Sequence, residues 1–200
     1  MAHGGGDVPA PAGAVAGPNP NFEGCGKVGQ IRCIFFAEFH PITGPMIRCQ
    51  APANPKDIVT KDIFEAISVF VIPKPQLDRT PLTVNVLDKK ICGYPVMLKN
   101  EKYKRNQFMF NVCFVCYPWS RTVQYEPALI KLSKFLVDLE LDSQFLYNSE
   151  QNVDSLQALL ETVLMDLNVR GECSTVVMDK FSLNLKGKNN TLFFCNFSYI

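Results

Sequence analysis

Residues Phe108 to Cys116 form a short segment that is apolar on both of its alternating faces. One face carries Phe108, Phe110, Val112, Phe114 and Cys116, and the other carries Met109, Asn111, Cys113 and Val115. Successive side chains of a strand point to opposite faces of its sheet. A strand that is apolar on both faces is typical of a sheet interior that is covered on both sides. The segment therefore predicts a central, buried strand.

A second strand-rich segment, Ile31 to Gln50, predicts a β-hairpin. Its first arm places Ile31, Cys33, Phe35, Ala37 and Phe39 on one face, and Arg32, Ile34, Phe36, Glu38 and His40 on the other. The sequence Pro41-Ile42-Thr43-Gly44-Pro45 supplies a turn, since proline fixes φ and glycine permits a positive φ. We expect His40 to orient this turn rather than to transfer protons.

Three segments have the 3.6-residue spacing of helices. In Asp57–Ile72 we expect inward positions at Ile58, Ile63, Ile67 and Phe70, adjoined by Phe64 and Val71, with Thr60 as N-cap. A second helix begins near Pro127, with Leu129, Leu132, Leu136 and Leu139 on one stripe and Ile130, Val137 and Leu141 beside it. A third spans about Val153–Val169, with Leu156, Leu159, Leu160, Val163 and Leu167 inward and Gly171 as a C-terminal cap. These stripes favour packing against the sheet.

Two more strands complete the expected sheet. Leu82–Leu87 is rich in strand-forming residues, and Ile91–Leu98 follows it. Gly93 and Pro95 within the latter indicate a bulge or a sheet edge. The predicted element order is β-β-α-β-β-β-α-α, an α+β arrangement around one sheet.

The chain divides into three parts by composition. Residues 1–30 contain Gly, Pro and Ala with few large apolar side chains, so we expect a disordered leader that is not a secretory or mitochondrial signal. Residues 31–170 form the expected domain. Residues 171–200 form a strand-like tail, with short strands up to Lys186, a turn at Gly187–Asn190 and a last apolar run.

Several functional classes find no support in the sequence. A formal net charge of +1 gives no whole-chain electrostatic argument for nucleic-acid binding, and no apolar run is long enough to span or insert into a membrane. The cysteines in strand-like sequence are expected to be reduced core residues, since Cys113 and Cys116 have no matching ligand pair for a metal. Phosphate-binding and hydrolase motifs are missing, and no cofactor is expected. We therefore expect the chain not to be an enzyme by itself.

The loop Lys99–Asn106 is the candidate site. It carries four cations in eight residues and joins the Ile91 strand to the Phe108 strand. We expect an exposed hairpin loop that is held at both ends by rigid structure. From these residues alone, a solvated basic turn is favoured over a binding site.

Three sequence features together resemble the nitrogen permease regulator 2-like family. They are Phe35–Pro41 followed by Gly44-Pro45, the run Lys102–Asn106, and Asn111–Cys116. The resemblance covers roughly residues 31–186 and implies a longin-type domain with a five-stranded, mainly antiparallel sheet. It also implies a subunit of the GATOR complex, which acts on Rag GTPases and restrains TOR signalling on amino-acid starvation. The family's C-terminal half, with its winged-helix-like modules, has no counterpart in this sequence, which suggests a truncated or alternatively ended form.

The resemblance assigns roles within the basic loop. Arg105 falls on the family's arginine finger, which is presented to a Rag GTPase in trans, and Lys102, Tyr103, Lys104 and Asn106 would support the loop. Implied partners are a nitrogen permease regulator 3-like subunit, bound through the longin domain, a DEP-domain subunit and the Rag GTPase. The implied location is the cytoplasm, with recruitment to the lysosomal or vacuolar surface. The alternative is a non-catalytic longin scaffold for heterodimerisation; a trafficking longin ranks third, because no coiled-coil heptad or membrane anchor is found.

Overall fold

The computed structural model of this chain describes residues 31–52, 59–72, 75–147, 152–170, 179–185 and 188–194. The strands of the main sheet are β1 (Ile31–His40), β2 (Gly44–Ala51), β3 (Leu82–Val86), β4 (Lys89–Lys99) and β5 (Gln107–Cys116). The helices are α1 (Lys61–Val71), α2 (Glu126–Ser143) and α3 (Val153–Arg170). The predicted element order is confirmed.

The main sheet is antiparallel throughout, with the strand order β2-β1-β5-β4-β3. One edge strand is therefore β2, the second arm of the first hairpin, and the other is β3. The central position belongs to β5, as its two apolar faces predicted. This topology is that of a longin-type α+β fold.

Both faces of the sheet are covered, and each has its own apolar core. Phe36, Phe110, Val112 and Phe114 join one cluster with Leu132 and other buried residues of α2 and α3. On the opposite face, Phe35, Cys113 and Val115 pack with Phe64 and Ile67 of α1. The alternation predicted for β5 is confirmed on both faces. Consistent with this, Cys113 and Cys116 lie on opposite faces, so they cannot bind one ion together.

The predicted faces of β1 hold with one exception, Ile31. Cys33, Phe35 and Ala37 lie on the α1 face, but Ile31 is buried in the core beneath α2 and α3. The pairing of β1 with β5 shifts register between Ile31 and Cys33. Since a one-residue slip moves a side chain to the opposite face, this shift explains the difference.

Helix α1 begins as predicted but turns a different stripe inward. The Thr60 side chain accepts a hydrogen bond from the Ile63 N–H at 3.5 Å, and Thr60 has the extended backbone of an N-cap. Phe64, Ile67 and Val71 are buried, whereas Phe70 is 55% exposed. The prediction for Phe70 is therefore wrong, and the burial follows Ile67 with the adjoining positions Phe64 and Val71. The expected inward position Ile58 lies outside the described residues.

The predicted bulge in β4 is not found, but the predicted edge is. The register between β4 and β5 is continuous through Gly93 and Pro95. The partner strand β3 begins with Leu82 opposite Gly93 and does not extend alongside Pro95, so Pro95 needs no N–H to pair with β3. The Pro95 carbonyl accepts a hydrogen bond from the Arg79 N–H at 2.8 Å. A register shift occurs instead between Phe36 and Ala37, in the pairing of β1 with β2.

Helices α2 and α3 cover the second face largely as predicted. The α2 stripe of leucines is buried, but Leu141 is 57% exposed, contrary to its expected place beside that stripe. In α3, Leu156, Leu159, Leu160 and Val163 are buried, and Leu167 packs at the rim of the core. The expected cap at Gly171 lies outside the described residues.

The first turn has the expected chemistry. His40 Nδ1 lies 3.2 Å from the Thr43 N–H and 2.9 Å from Thr43 Oγ1. Gly44 has φ +80°, a conformation that L-residues with side chains rarely adopt. The position of His40 confirms that it orients the hairpin.

A separate antiparallel pair follows α3, formed by β6 (Asp179–Leu185) and β7 (Lys188–Phe194). The strand-like character predicted for the tail is confirmed for residues 179–185 and 188–194. The predicted turn is wrong at residues 188–190, which belong to β7, and the rest of the predicted tail, Gly187 included, lies outside the described residues. The expected leader, residues 1–30, lies outside the described residues, and the domain boundaries remain a prediction.

Candidate functional site

The loop Lys99–Asn106 connects β4 and β5 at one end of the sheet, as predicted. Most of its residues are exposed, including the cations Lys99, Lys104 and Arg105. Lys102 is half-buried, and Tyr103 is only 2% exposed. The loop thus presents a basic outer surface around a single aromatic side chain that points into the core.

Asn100 closes the backbone of this loop. Its Oδ1 accepts a hydrogen bond from the Lys102 N–H at 3.0 Å, and its carbonyl accepts one from the Tyr103 N–H at 3.2 Å. Its own N–H donates to the Asn106 carbonyl at 3.1 Å. Asparagine readily forms such side-chain turns with backbone two residues ahead. The loop is therefore a closed turn with a defined shape.

Arg105 lies at the reversal of the chain, in the left-handed backbone region. Its φ is 63°, and Asn106 follows with φ 56°. This region is ordinary for asparagine and uncommon for arginine. The Arg105 side chain is exposed, and its guanidinium carbon lies 5.7 Å from the centroid of the Phe39 ring. Such an exposed cation–π contact contributes only about 0.5–1 kcal/mol, so the guanidinium can leave it readily.

Tyr103 anchors the loop from below. Its ring packs 5.6 Å from the Phe108 ring and 5.0 Å from the Tyr147 ring, measured between centroids. Its hydroxyl donates a hydrogen bond to Glu140 Oε1 at 2.8 Å. The predicted bracing contact of Tyr103 is therefore present, and its partner is a carboxylate of α2.

Glu140 is a fully buried acid, 0% exposed, near the end of α2. Its Oε2 accepts hydrogen bonds from the backbone N–H groups of Leu146 at 2.8 Å and Tyr147 at 3.0 Å. Lys102 Nζ lies 3.8 Å from Oε1. A buried carboxylate is costly unless its oxygens are bonded, and here both are. Glu140 thus joins the basic loop to the turn that follows α2.

Tyr147 makes the second connection between this turn and the loop. Its hydroxyl accepts a hydrogen bond from the Lys104 N–H at 2.9 Å. The bonded backbone lies immediately before Arg105. This hydrogen bond holds the backbone of Lys104, and with it the start of Arg105, close to the turn that follows α2.

The protonated state of Tyr103 favours this arrangement. Burial raises the pKa of the Tyr103 phenol well above its usual range, and the hydrogen bond to Glu140 and its negative charge raise it further. The phenol therefore remains protonated at physiological pH and donates to Glu140. An ionised Tyr103 beside a carboxylate would repel it.

The four residues that were predicted to support the loop flank Arg105, and three of them connect it to the end of α2. Lys102 and Tyr103 contact Glu140, the Lys104 backbone contacts Tyr147, and the Asn106 carbonyl closes the turn. Sequence reasoning missed Glu140 and Tyr147. Glu140 follows Leu132 and Leu136 at four-residue spacing, which places an acid on the inward stripe of a helix. That pattern was the available signal, because a buried acid requires partners.

A second surface lies along the β2 edge of the sheet. The outer strand β2 borders a groove of about 680 Å³, lined on its two sides by α1 and α3. Ile47, Cys49, Phe64 and Val153 give it an apolar floor, and Lys61 and Asp154 are among its charged lining. Val69 and Phe70 of α1 are exposed as well. An unpaired strand edge of this kind is suited to pairing with another strand.

The cysteines of the described part of the chain support no catalytic or redox site. Cys33, Cys49, Cys92, Cys113 and Cys116 form no disulfide with a described residue and are buried, as predicted. Burial raises the pKa of the Cys49 thiol to about 12 and that of Cys113 well above its usual value, which removes the reactive thiolate. No cluster of three or more potential metal ligands occurs among the described residues. No described helix is long and apolar enough to span a membrane.

Comparison with known proteins gives a family match over most of the chain. A family model described as nitrogen permease regulator 2 matches residues 29–189. The match includes the first hairpin, the basic loop and all three helices. It agrees with the family indicated by the sequence motifs.

Three relatives are similar over the same region. The GATOR complex protein NPRL2 of Drosophila melanogaster is 48% identical over 159 residues, which are 79% of this chain and 37% of that protein. The nitrogen permease regulator 2 homolog of Schizosaccharomyces pombe is 32% identical over 78% of this chain and 39% of its own length. Nitrogen permease regulator 2 of Saccharomyces cerevisiae is 36% identical over 61% of this chain and 20% of its own length. The chain thus spans well under half the length of these relatives.

Proposed function

This chain belongs to the nitrogen permease regulator 2 family, and from that membership we propose that it is a subunit of a GATOR-type complex that activates Rag GTPases. In this proposal the longin-type domain lends Arg105 in trans to the GTPase. The chain is not an enzyme by itself. The activity restrains TOR signalling on amino-acid starvation, and it takes place in the cytoplasm at the lysosomal or vacuolar surface. The complex partners are a nitrogen permease regulator 3-like subunit and a DEP-domain subunit.

The observation that carries this proposal is the geometry of Arg105. An exposed guanidinium stands at the reversal of a short loop whose backbone is closed by Asn100 and whose base is anchored by Tyr103. A group supplied in trans must reach into another protein's active site and still arrive in a defined position. A rigidly based loop with an exposed tip meets both requirements.

The chemistry of phosphoryl transfer gives arginine its role. Charge develops on the phosphoryl oxygens in the transition state, and a planar, permanently charged guanidinium can bond two of them at once. Arginines supplied in trans raise GTPase rates by about 10³–10⁵-fold. Lysine carries the same charge as a point, without the bidentate geometry, so it is expected to replace arginine poorly.

The test is single-turnover GTP hydrolysis by the cognate Rag GTPase with the assembled complex. Arg105→Ala should slow hydrolysis by about a hundredfold or more, and Arg105→Lys should recover little of the rate. Arg79→Ala is the matched control, since Arg79 is also an exposed arginine with a positive φ, 55°, but lies in another loop. Co-purification of all subunits establishes that each variant assembles. An unchanged rate for an assembled Arg105→Ala complex would refute the proposal.

A second candidate function, a heterodimerisation scaffold without a catalytic arginine, is favoured by the open β2 edge and the exposed α1 residues. Phe70→Asp places a charge on an exposed position, so it should leave folding intact and weaken co-purification of the partner subunit. Val123→Asp is the control, because Val123 is likewise exposed but lies just before α2. Loss of assembly with Phe70→Asp, together with an unchanged rate for Arg105→Ala, would favour the scaffold.

A further inference from the structure

We infer that Tyr103, Glu140 and Tyr147 form a clasp that positions Arg105 for the reaction, an inference that rests on the proposed function. The clasp joins the basic loop to the end of α2 and the turn after it through two tyrosine hydroxyls and one buried carboxylate. None of the three side chains would touch the GTPase in this view. Each is a positioning residue that acts through the loop backbone.

The contacts of the clasp fall directly before Arg105. Tyr103, two residues before it, donates to Glu140 at 2.8 Å, and the N–H of Lys104, one residue before it, donates to Tyr147 at 2.9 Å. The side-chain amine of Lys102 lies 3.8 Å from the same carboxylate. Three successive residues are therefore tethered, and the next one is Arg105. A backbone held this closely limits the positions that the guanidinium can reach.

Arg105 itself makes few contacts that could fix it. No hydrogen bond or ion pair to another described residue holds its guanidinium, and its contact with Phe39 is at 5.7 Å. Its left-handed backbone is unfavourable for a residue with a Cβ. Such a conformation persists when the surroundings over-determine it. The tethers on residues 102–104 supply that constraint.

Glu140 fixes the position of the acceptor oxygen that Tyr103 bonds. Two backbone N–H groups, those of Leu146 and Tyr147, hold Oε2, so the carboxylate cannot rotate freely to follow a moving loop. Its oxygen Oε1 then presents one acceptor position to Tyr103. Because the carboxylate is fully buried, water cannot substitute for a lost partner. The loop position is thereby tied to the geometry of the turn after α2.

The first experiment measures the clasp without any GTPase. Tyr103→Phe and Tyr147→Phe each remove one hydroxyl and keep the ring, and the double variant removes both. Limited trypsin digestion of the full 200-residue chain, followed by mass spectrometry, reports cleavage after Lys104 and Arg105, which requires local opening of the loop. We expect faster cleavage at these bonds in all three variants, and the fastest in the double variant. Thermal unfolding of each variant establishes that the domain is folded.

Tyr117→Phe is the matched control. Tyr117 follows the far end of β5, about 30 Å from the loop at the rise of an extended strand, and its ring stacks on Trp119. The Tyr117→Phe variant should show the same rates of loop cleavage and GTP hydrolysis as the wild-type chain. If Tyr103→Phe does not fold, Tyr147→Phe still tests the clasp, because Tyr147 is only half-buried and its hydroxyl bonds a loop N–H.

The second experiment measures single-turnover GTP hydrolysis against the concentration of the assembled complex. The tyrosine variants should lower the maximal rate by about tenfold to a hundredfold, as small misplacements of a catalytic group do. The concentration at half-maximal rate should stay the same, because the docking surface is unaltered. A general loss of structure would change assembly or both quantities together.

The outcomes separate the clasp from the proposed function. Faster loop cleavage with a lower maximal rate and unchanged half-saturation supports the inference. Unchanged cleavage overturns it, as does faster cleavage with an unchanged maximal rate in an assay where Arg105→Ala is slow. If Arg105→Ala itself leaves the rate unchanged, the proposed function fails and the positioning role fails with it.

Discussion

Gly93 lies opposite Cys113 in the pairing of β4 with β5. A Cβ built on it would come within 2.8 Å of Asn111 Nδ2, Asn111 Oδ1 and Cys113 Sγ. The buried Asn111 side chain occupies this space because it bonds two backbone groups: it accepts from the Tyr94 N–H at 2.8 Å and donates to the Val71 carbonyl at 2.6 Å. The absence of a side chain at Gly93 thus allows Asn111 to link the sheet to the end of α1.

We predict that Gly93→Ala destabilises the domain although alanine is the better strand residue. The added methyl would displace a buried amide that bonds two backbone groups, and overpacking of this kind costs about 1–3 kcal/mol. Urea unfolding followed by circular dichroism measures the change. In an Asn111→Ala background the same substitution should cost much less, since the space is then open. Equal costs in the two backgrounds would show that the clash is not the cause.

Glu38 and Arg48 form a buried ion pair between β1 and β2. Burial raises the pKa of the Glu38 carboxyl above its usual value, while the hydrogen bond and the charge of Arg48 act in the opposite direction. Glu38 Oε2 and Arg48 Nε have no hydrogen-bond partner among the described residues. The folded domain therefore holds a proton on Glu38 more tightly than the unfolded chain does.

This raised pKa sets the sign of a pH effect. Between the ordinary pKa of glutamate, 4.5, and the higher value in the folded state, the folded domain binds more protons, so the free energy of unfolding falls as the pH rises. Glu38→Gln removes this titration. The stability of the wild-type chain relative to Glu38→Gln should decline with rising pH across that window, as measured by urea unfolding at a series of pH values. Parallel pH profiles for the two proteins would contradict the assignment.

At the scale of single elements, α1 shows which features a pattern can predict. The N-cap depends on Thr60 and the next three residues, so it follows from local sequence and was predicted correctly. The buried stripe depends on how the helix is rotated against the sheet. Two sets of residues have helical spacing: the first is Ile63, Ile67 and Phe70, and the second is Phe64, Ile67 and Val71. Packing on β1 and β5 buries the second set.

We predict that Thr60→Ala destabilises the domain by about 0.5–1 kcal/mol, at the lower end for an N-cap, because its hydrogen bond to the Ile63 N–H is long, at 3.5 Å. Thr60→Ser keeps the oxygen and should restore most of the loss. Chemical unfolding of the three proteins gives the comparison. Equal stability of the alanine and serine variants would mean that the Thr60 oxygen has no capping role.

The loop between β4 and β5 shows the corresponding limit for the site. The location of the loop, its exposure and its charge follow from the sequence between two strong strand patterns. The partners of its one buried residue do not, since Glu140 and Tyr147 lie 37 and 44 positions after Tyr103 in the chain (140 − 103 and 147 − 103). Glu140 could have been suspected from its place on a leucine stripe, but its contact with Tyr103 could not.

At the scale of the whole molecule, the two apolar cores share one sheet. Phe35 and Cys113 face α1, while Phe36 and Phe114, their neighbours in sequence, face α2 and α3. Because the same strands contribute to both cores, disruption of the strands in one core also disrupts the packing of the other. We therefore expect the domain to unfold as one cooperative unit.

This expectation is tested with one truncation in each core. Ile67→Ala, on the α1 face, and Leu136→Ala, on the α2 face, remove fully buried side chains and should each cost about 2–5 kcal/mol. In both variants the transitions seen by circular dichroism and by fluorescence should coincide. Separate transitions for the two probes would indicate that the two faces unfold independently.

The local pattern of the sequence was enough to predict the order of the elements, the central position of β5, the cap of α1, the buried cysteines and the place of the basic loop, because each depends on residues close together in the chain. Tertiary structure alone decided the face of Ile31, the rotation of α1, the choice of an edge over a bulge at Pro95, and the clasp beneath Arg105. Each of these depends on a register or a contact between segments far apart in sequence. Such contacts are selected by the packing of the whole core, which no local pattern records.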